Sequence, residues 1–247
     1  MKIAIFSDIH SNLEALDACL AHAHMQGADM FVFLGDLVGY GADPVACLDR
    51  IESLAEQGAL VVKGNHDEAA LSGLCEDMEF TAREAIYWTR AQLGQKQRDF
   101  LQTLPFVIKI ADTCYVHASA DQPERWTYIT EPKFAASSMK AAQTKFIFSG
   151  HIHDPTLYYS MHEASPEAFY PTSGIPITLS LQRQWLSIVG SVGQPRDGNN
   201  AACYAIMDRQ HDQLTYFRVP YDHTAAAKKI LAAGLPPKLA LRLERGH

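Results

Sequence analysis

Residues 2–10 read KIAIFSDIH, and this stretch sets a pattern that the chain repeats. Its first five residues are mainly apolar and precede a Ser-Asp pair, which is typical of a short buried strand that ends in a loop. The apolar spacing of residues 12–25 then predicts an amphipathic helix with Ser11 as its N-cap. Asp8 and His10 therefore fall at the carboxyl end of a strand, where α/β sheets present side chains to ligands.

Two further stretches repeat this succession of strand, polar strand end and helix. The apolar run at 30–34 ends in Gly-Asp, and the run at 60–62 ends in Lys-Gly-Asn. Pro44 begins the helical stretch between them, and proline favours the first turn of a helix. The order strand–helix–strand–helix–strand predicts a parallel sheet with right-handed crossovers, so the predicted fold class is α/β.

The remainder of the chain predicts a second sheet and several helices. The expected elements are a helical segment at 68–104, strands at 106–110, 113–117 and 145–149, a helix at 132–143, strands between 156 and 219, and a helical tail at 223–247. The segment 68–104 directly follows the third strand end, so we expect it to stand near that site as a cap. Because no linker or repeat is visible, residues 1–247 are expected to form a single domain.

Composition bounds the class of protein and its partners. The 247 residues carry a formal net charge of −7 and no basic stretch, which argues against duplex nucleic acid as a partner. No apolar run approaches the roughly 20 residues that span a bilayer, and the N-terminus does not resemble a signal peptide. The five cysteines form no C-x-x-C pair, so reduced thiols and a cytoplasmic location are expected. The oligomeric state stays open.

Five clusters of metal-binding residue types follow predicted strands in a fixed order. They are Asp8-Ile9-His10, Gly35-Asp36, Gly64-Asn65-His66-Asp67, His117 and Gly150-His151-Ile152-His153. One such residue alone is more often a cap or a surface group, whereas five clusters in order predict a shared site. Asp, His and Asn without Cys suit two hard-to-borderline cations, with Mn, Fe, Zn, Ni and Co as candidates. Enzymes use two neighbouring cations to promote nucleophilic attack on phosphate esters.

The spacing within the clusters predicts how the ligands converge. Residues i and i+2 share a face in an extended chain. The side chains of Asp8 and His10 are therefore expected to point to the same side, and so are those of His151 and His153. Asp36 has two carboxylate oxygens and can bridge two cations. The remaining ligand candidates are Asn65, with a neutral carbonyl oxygen, and His117, while His66 is left over.

These motifs, in the order D-x-H, G-D, G-N-H-[DE], H and G-H-x-H, resemble the signature of the calcineurin-like metallophosphoesterase superfamily. The resemblance implies a four-layer α/β/β/α sandwich of two mixed sheets flanked by helices. The ligands it implies are Asp8, His10 and His153 for one metal, Asn65, His117 and His151 for the other, and Asp36 as the bridge. It also implies that His66 lies near the leaving-group oxygen.

The resemblance and the charges together imply metal-dependent hydrolysis of phosphomonoesters or phosphodiesters. Two cations roughly 3.5–4 Å apart lower the pKa of a bridging water, and the resulting hydroxide attacks phosphorus in line. His66, if protonated, donates a proton to the departing alkoxide. Asp67 is a second catalytic candidate that would orient His66, although adjacent side chains in an extended chain diverge.

One run departs from better-known relatives. In GDLVGYGADP, residues 35–44, Tyr40 stands where protein phosphatases and symmetrical diadenosine tetraphosphatases carry an Arg that grips phosphate. Tyrosine lacks both the positive charge of that arginine and the paired N–H donors of its guanidinium, so Tyr40 is at most a neutral substrate contact. Gly39 and Gly41 suit a tight turn.

A second run, GSVGQPRDG at 190–198, together with the first resembles a bacterial subgroup of small metallophosphoesterases. Within it, Arg196 is expected either to clamp phosphate in place of the missing arginine or to fix the loop by pairing with a carboxylate such as Asp197. The structural interpretation is the favoured one. Arg125 and Trp126, soon after His117, are further candidates for contacts with a phosphate and a base.

The cationic residues of the C-terminal tail are expected to form a solvated face. They are Lys228, Lys229, Lys238, Arg242 and Arg245.

Three alternatives to a hydrolase of small phosphoesters stay open. The first is a dinucleoside polyphosphate or nucleotide hydrolase, in which Trp126 would stack on a base. The second is a Ser/Thr protein phosphatase, which Tyr40 puts in doubt. The third is a non-catalytic scaffold of the same fold, which the complete ligand set argues against.

Overall fold

The computed structural model describes residues 1–75, 78–161 and 164–247. In this part of the chain, twelve strands form two six-stranded sheets, and eight α-helices accompany them. The strands are β1 (Lys2–Phe6), β2 (Met30–Phe33), β3 (Leu60–Val61), β4 (Val107–Ile110), β5 (Thr113–Val116), β6 (Phe146–Ser149), β7 (Thr156–Ser160), β8 (Glu167–Phe169), β9 (Ile177–Thr178), β10 (Gln184–Ile188), β11 (Ala202–Asp208) and β12 (Gln213–Val219). The helices are α1 (Leu13–Met25), α2 (Pro44–Glu56), α3 (Asn65–Ser72), α4 (Phe80–Gln92), α5 (Gln95–Thr103), α6 (Pro132–Ala142), α7 (His223–Ala232) and α8 (Pro237–Arg245).

Both sheets are mixed. The first has the strand order β3-β2-β1-β11-β12-β9, in which β1, β2 and β3 are parallel and the other pairs are antiparallel. The second has the order β4-β5-β6-β10-β7-β8, in which β5, β6 and β10 are parallel. The predicted parallel succession is therefore confirmed for β1 to β3. The two parallel groups carry all five ligand clusters at their carboxyl ends.

The apolar run of β1 is explained by burial of both of its faces. Ile3 and Ile5 belong to the core between the two sheets, whereas Ala4 and Phe6 belong to the core between the first sheet and its helices. Alternate residues of a strand point to opposite faces, so a strand that is covered on both sides needs apolar residues throughout.

The layers follow from the remaining core clusters. Leu16 of α1 and Leu48 of α2 pack on the outer face of the first sheet. Ala135 and Met139 of α6 pack on the outer face of the second sheet, against residues such as Ile147. The order helix, sheet, sheet, helix confirms the predicted α/β/β/α sandwich.

The start of α1 differs from the prediction by one residue. The N-cap is Asn12, whose side chain accepts a hydrogen bond from the N–H of Ala15 at 3.2 Å. Ser11 lies in the preceding loop with a positive φ of 53°, and its N–H donates to the carbonyl of Leu37 at 3.0 Å. The choice of Ser11 as cap was wrong because the loop turns tightly enough to delay the helix.

The helical segment predicted at 68–104 is three helices, and it begins earlier, at Asn65. Residues 76–77 of this segment lie outside the described part of the chain. Helix α5 is not a cap, because Leu101 belongs to the same core as α1 and α2. The wall beside the ligands is formed by the start of α4 and the residues just before it.

The helical tail predicted at 223–247 consists of two helices, α7 and α8, and it packs on the rest of the molecule. Ile230 of α7 and Leu239 and Leu243 of α8 are buried in one cluster with Tyr40 and with Ala85 of α4. No helix among the described residues is long and apolar enough to cross a membrane. All five cysteines are buried and carry free thiols.

Candidate metal centre

The five clusters converge where the carboxyl ends of the two parallel strand groups meet. Asp8, Asp36 and Asn65 follow β1, β2 and β3 in the first sheet, and His117 and His151 follow β5 and β6 in the second. The two aspartates and the four ligand histidines are almost completely buried, while Asn65 is half-buried. The structure thus brings together all seven residues that the sequence proposed as ligands.

The backbone that presents these ligands is not extended. Five of the seven have a positive φ, namely Asp8 at 54°, His10 at 49°, Asp36 at 51°, His151 at 70° and His153 at 69°. Residues other than glycine adopt this left-handed region at a cost of roughly 1–2 kcal/mol each, and such strain concentrates at functional sites. The expectation that Asp8 and His10 converge because they share a face of an extended chain was wrong. They converge because their backbones turn.

Glycine makes one of these approaches possible. A Cβ on Gly150 would collide with the hydroxyl of Ser7 and lie 2.6 Å from Oδ2 of Asp8. With no side chain there, Oδ2 of Asp8 accepts a hydrogen bond from the N–H of His151 at 3.0 Å. This bond joins the clusters that follow β1 and β6.

The first group of candidate ligands is Asp8, His10 and His153. Nε2 of His153 lies 3.1 Å from Oδ1 of Asp8 and 3.1 Å from Nε2 of His10. In both rings Nδ1 faces a backbone carbonyl, that of Val38 at 3.2 Å and that of Gln194 at 2.6 Å. A carbonyl only accepts, so each Nδ1 carries a proton, and Nε2 is the nitrogen that can offer a lone pair to the centre. Two lone pairs that face each other this closely suit a shared cation.

The second group is His117, His151, Asn65 and Asp36. Nε2 of His117 lies 3.1 Å from Nδ1 of His151, 3.2 Å from Oδ1 of Asn65 and 3.4 Å from Oδ2 of Asp36. Nδ1 of His117 donates to the carbonyl of Leu34 at 2.8 Å, which again directs Nε2 to the centre. A backbone partner behind a histidine is the usual support of a metal-binding ring.

Asp36 lies between the two groups. Its Oδ2 is 3.4 Å from Nε2 of His117 and 3.7 Å from Nε2 of His10. Its Oδ1 accepts a hydrogen bond from the N–H of His66 at 2.8 Å, which fixes the carboxylate. Asp36 therefore faces ligands of both groups with one oxygen.

The residues present fit metal ions. Among the described residues, Oδ1 of Asp8 and Nε2 of His151 are buried and have no hydrogen-bond partner. Three sets of ligand atoms lie within 4.8 Å of one another, namely Asp8-His10-His153, His10-Asp36-His66 and Asp36-His117-His151. The donors are imidazole nitrogens and carboxylate or amide oxygens, which suit borderline divalent cations.

Charges and burial compete strongly in this centre. Burial alone would lower the pKa of His117, but the carboxylates of Asp36 and Asp8 outweigh it and raise that pKa to about 9. Burial disfavours the charge on Asp36, yet the facing imidazoles of His117 and His66 hold its pKa well below the usual value. Burial and the neighbouring His117 lower the pKa of His151 to about 3. The two carboxylates thus favour a positive charge on His117, whereas burial and His117 itself disfavour one on His151.

His66 stands at the edge of the ligand groups. Its ring centroid lies 4.8 Å from that of His10 and 4.5 Å from that of Tyr40. Gly39, with a φ of 89°, provides the room, since a Cβ there would collide with Nδ1 of His66. Burial lowers the pKa of His66 to about 4. The proton donation predicted from the sequence was conditional on a protonated ring, whereas the structure favours a neutral ring, which still has one N–H to donate.

Asp67 does not orient His66. One of its carboxylate oxygens accepts from the N–H of Leu37 at 2.9 Å and of Val38 at 3.2 Å, and the other accepts from the N–H of Gly64 at 2.9 Å. The two side chains diverge because they are successive residues in the first turn of α3. The structure therefore corrects the catalytic assignment of Asp67. This residue holds the loop after β2 against the start of α3.

Replacing Asp67 by Ala is expected to lower the free energy of unfolding by about 3 kcal/mol or more, since three buried N–H groups lose their acceptor at about 1–3 kcal/mol each. Urea denaturation in the presence of a chelator measures this without a contribution from bound metal. Asp99→Ala, at an exposed residue of α5, is the matched control and should change stability by no more than about 0.5 kcal/mol. Equal unfolding midpoints for the two variants would show that the Asp67 bonds contribute nothing.

A cleft of about 380 Å³ opens onto the centre at Asn65, His66 and His151. All four residues proposed as substrate contacts line it, namely Tyr40, Arg125, Trp126 and Arg196. Trp126 is half-buried and packs against Phe106 and edge-on to His117, with ring centroids 5.5 and 5.9 Å apart. Tyr128 also lines the cleft and stacks on the ring of His151, with centroids 4.0 Å apart.

Arg196 does not pair with Asp197. Asp197 forms an ion pair with Arg218 instead, and the guanidinium of Arg196 donates to Oε1 of Gln194 at 3.0 Å. Its carbon Cζ lies 5.6 Å from the centroid of the Tyr40 ring. The favoured interpretation of Arg196 as half of a carboxylate pair was wrong, because the loop directs adjacent side chains to opposite sides.

The prediction for the C-terminal tail was also wrong for two of its cations. Lys229 pairs with Glu14 at 2.5 Å and with Asp43 at 2.8 Å, which fastens α7 to the body of the molecule. Arg242 lines the cleft, with Cζ 5.9 Å from the centroid of the Tyr40 ring. Nothing local in the sequence distinguishes Arg242 from the neighbouring cations of α8, so the sequence missed it.

Comparison with known proteins identifies similar chains over the full length. Residues 1–212 match the model of the calcineurin-like phosphoesterase superfamily domain. The chain is 35% identical to the uncharacterized protein MJ0912 of Methanocaldococcus jannaschii, over 99% of this chain and 98% of that protein. It is similar to the crystal structure of a metallophosphoesterase from Sphaerobacter thermophilus, with a TM-score of 0.87, 36% identity, and coverage of 100% of this chain and 99% of that one.

The hypothetical protein PH1004 from Pyrococcus horikoshii OT3 shares the fold at 17% identity, with a TM-score of 0.79 and coverage of 100% of this chain and 98% of that one. Helices α7 and α8 therefore fall within the regions that are similar in structure, although they lie beyond the matched family domain.

Proposed function

The chain belongs to the calcineurin-like phosphoesterase superfamily, and from this premise we propose that it hydrolyses phosphomonoesters or phosphodiesters at a centre of two metal ions. The observation that carries the proposal is the position of Asp36, whose Oδ2 faces His10 of one buried ligand group and His117 of the other. A carboxylate shared in this way limits the repulsion between two cations. A site for a single cation gives no evident reason for the Asp36 carboxylate to face both groups.

In this proposal Asp8, His10 and His153 hold one ion and Asn65, His117 and His151 hold the other. When bound, two such ions would activate a water molecule and neutralise charge on the phosphoryl group. The donor set accommodates Mn, Fe, Zn, Ni or Co. The carbonyls of Val38, Gln194 and Leu34 keep three of the histidines in the required tautomer.

His66 is placed to act on the leaving group. It is buried beside the ligands, lines the cleft, and has an Nδ1 with no hydrogen-bond partner among the described residues. A neutral imidazole in this position donates one N–H to the oxygen that departs from phosphorus. The backbone N–H of the same residue donates to Asp36, so His66 also supports the shared carboxylate.

The test is a substrate panel on protein reconstituted with Mn²⁺. We expect turnover of 4-nitrophenyl phosphate or bis(4-nitrophenyl) phosphate, loss of that turnover in a chelator, and recovery when Mn²⁺ is returned. The ratio of the two rates reports the preference between monoesters and diesters. A metal-loaded sample that hydrolyses neither these esters nor the nucleotides below would overturn the proposal and favour a non-catalytic scaffold.

A nucleotide or dinucleoside polyphosphate hydrolase is the second candidate, and one observation favours it. Trp126 lines both the cleft and an adjoining groove that also contains Leu74, Cys75 and Met78. A half-buried indole beside an apolar groove is a surface on which a base can stack. Diadenosine tetraphosphate and a phosphoserine peptide belong in the panel. Faster turnover of the former would support this candidate, and faster turnover of the latter would support a protein phosphatase.

A further inference from the structure

We propose that Arg196 and Arg242 form a second anion site beside the Tyr40 ring, in the cleft that opens onto the metal centre, and that it binds a second phosphoryl group of the substrate. The inference deepens the proposed function and rests on it. The substrate class that follows is an organic molecule with two phosphoryl groups, one at the metal ions and one at the arginines.

Tyr40 connects the two sites. Its ring centroid lies 4.6 Å from that of His10 and 4.5 Å from that of His66. The Cζ atoms of Arg196 and Arg242 lie 5.6 and 5.9 Å from the same centroid. The two guanidinium groups and the two histidines therefore all lie within about 6 Å of one aromatic ring. Both arginines line the cleft that opens onto His66.

Arg196 has hydrogen-bonding capacity to spare. Its guanidinium donates to the amide oxygen of Gln194, and no ion pair joins it to a carboxylate in the part of the chain that the structure describes. Its Nε is buried and has no partner among those same residues. A buried N–H without an acceptor is costly, so a ligand that supplies an acceptor oxygen is favoured here.

The guanidinium of Arg242 is also available to bind an anion, because its existing ion pair is weak. Its side chain is only 18% exposed, and its one ion pair within the described residues is with Glu79, at 3.8 Å. The other oxygen of Glu79 lies 3.0 Å from Nζ of Lys238, so this carboxylate is divided between two cations. An incoming phosphoryl group competes with a weak contact rather than a bidentate pair.

The charge of the cleft contrasts with that of the protein. Three arginines and one glutamate line the cleft, whereas the whole chain has a formal net charge of −7. The proposed metal ions would already neutralise charge on the reacting phosphoryl group, which would leave the arginines able to neutralise a second anion. Each guanidinium is a planar fork that matches two oxygens, and two forks match a tetrahedral phosphoryl group better than a carboxylate.

Arg242 lies outside the matched family domain, because α8 follows residue 212, whereas Tyr40 and Arg196 lie within that domain. Leu239 and Leu243 anchor α8 against Tyr40 and α4, which fixes Arg242 over the cleft. The proposal thus assigns substrate choice to the C-terminal helix together with the loop that carries Arg196.

The experiment compares paired substrates on the Mn²⁺-loaded protein: fructose 1,6-bisphosphate against fructose 6-phosphate, and adenosine 3′,5′-bisphosphate against adenosine 5′-monophosphate. For Arg242→Gln and Arg196→Gln, the expected fall in kcat/KM is at least tenfold larger for the bisphosphate of a pair than for the monophosphate. Arg242→Lys, which keeps the charge and loses the fork, should lie between. Arg245→Gln, at an exposed residue of the same helix, is the matched control.

Equal losses on both members of each pair, or no loss, would overturn the inference. If the wild-type protein hydrolyses no phosphoester, the proposed function fails. The anion site at Arg196 and Arg242 is then tested by the binding of pyrophosphate to the chelator-treated protein. Calorimetry should then show binding that is at least fivefold weaker in Arg242→Gln than in Arg245→Gln. Equal binding by these two variants would reject the anion site.

Discussion

Asp36→Asn is expected to lose metal and to lower kcat/KM for aryl phosphates by about a thousandfold or more, which corresponds to about 4 kcal/mol of transition-state stabilisation. The amide removes the negative charge that both ligand groups face, and it offers a nitrogen donor where Oδ2 now lies 3.4 Å from Nε2 of His117. The fold should survive, because the remaining amide oxygen can still accept from the N–H of His66.

Elemental analysis of the variant and its rate with 4-nitrophenyl phosphate measure the two effects separately. Asp112→Asn is the matched control. This aspartate lies at the opposite end of β5 from His117 and pairs with Arg209 at 2.9 Å, so the variant should keep its full metal content and rate. A fully loaded and active Asp36→Asn protein would show that Asp36 is not shared between ions, and it would remove the main support for a two-metal centre.

The positions of the ligands were predictable because they follow from a rule that acts locally. Apolar runs define strands, and a polar residue directly after a parallel strand lies at the edge where other such residues also lie. That rule places Asp8, Asp36, His117 and His151 together without knowledge of any distance. It does not give the backbone geometry, because aspartate tolerates a positive φ better than most residues but this preference alone does not predict one at Asp8.

The contacts that surround the centre could not be predicted for a different reason. Asp67 belongs to the same motif as His66, yet its partners are N–H groups of Leu37 and Val38, thirty and twenty-nine residues away along the chain. Arg242 reaches Tyr40 only because α8 packs against α4, α7 and Tyr40 itself. A sequence motif marks residues that share a chemical role. The partners of Asp67 and the position of Arg242 depend instead on how segments that are distant in the sequence pack together.

Replacing His66 by Ala is expected to lower kcat about 10²–10³-fold, the range for loss of one hydrogen-bond donor aimed at charge that develops in the transition state, while the metal content stays unchanged. The loss should grow with the basicity of the leaving group, so it should be larger for phenyl phosphate than for 4-nitrophenyl phosphate. His66→Gln, which keeps an N–H donor, should recover part of the rate. His24→Ala, at an exposed histidine of α1, is the control and should behave as wild type.

The dependence on the leaving group separates two roles that the structure allows for His66. Its ring is grouped with His10 and Asp36 as a set of ligand atoms within 4.8 Å, so it is close enough to bind an ion. If His66 were a ligand, His66→Ala would lose metal and would slow all esters by the same factor. If it donates to the departing oxygen, the metals remain and the loss follows the pKa of the leaving group, because a basic oxygen needs the donor most.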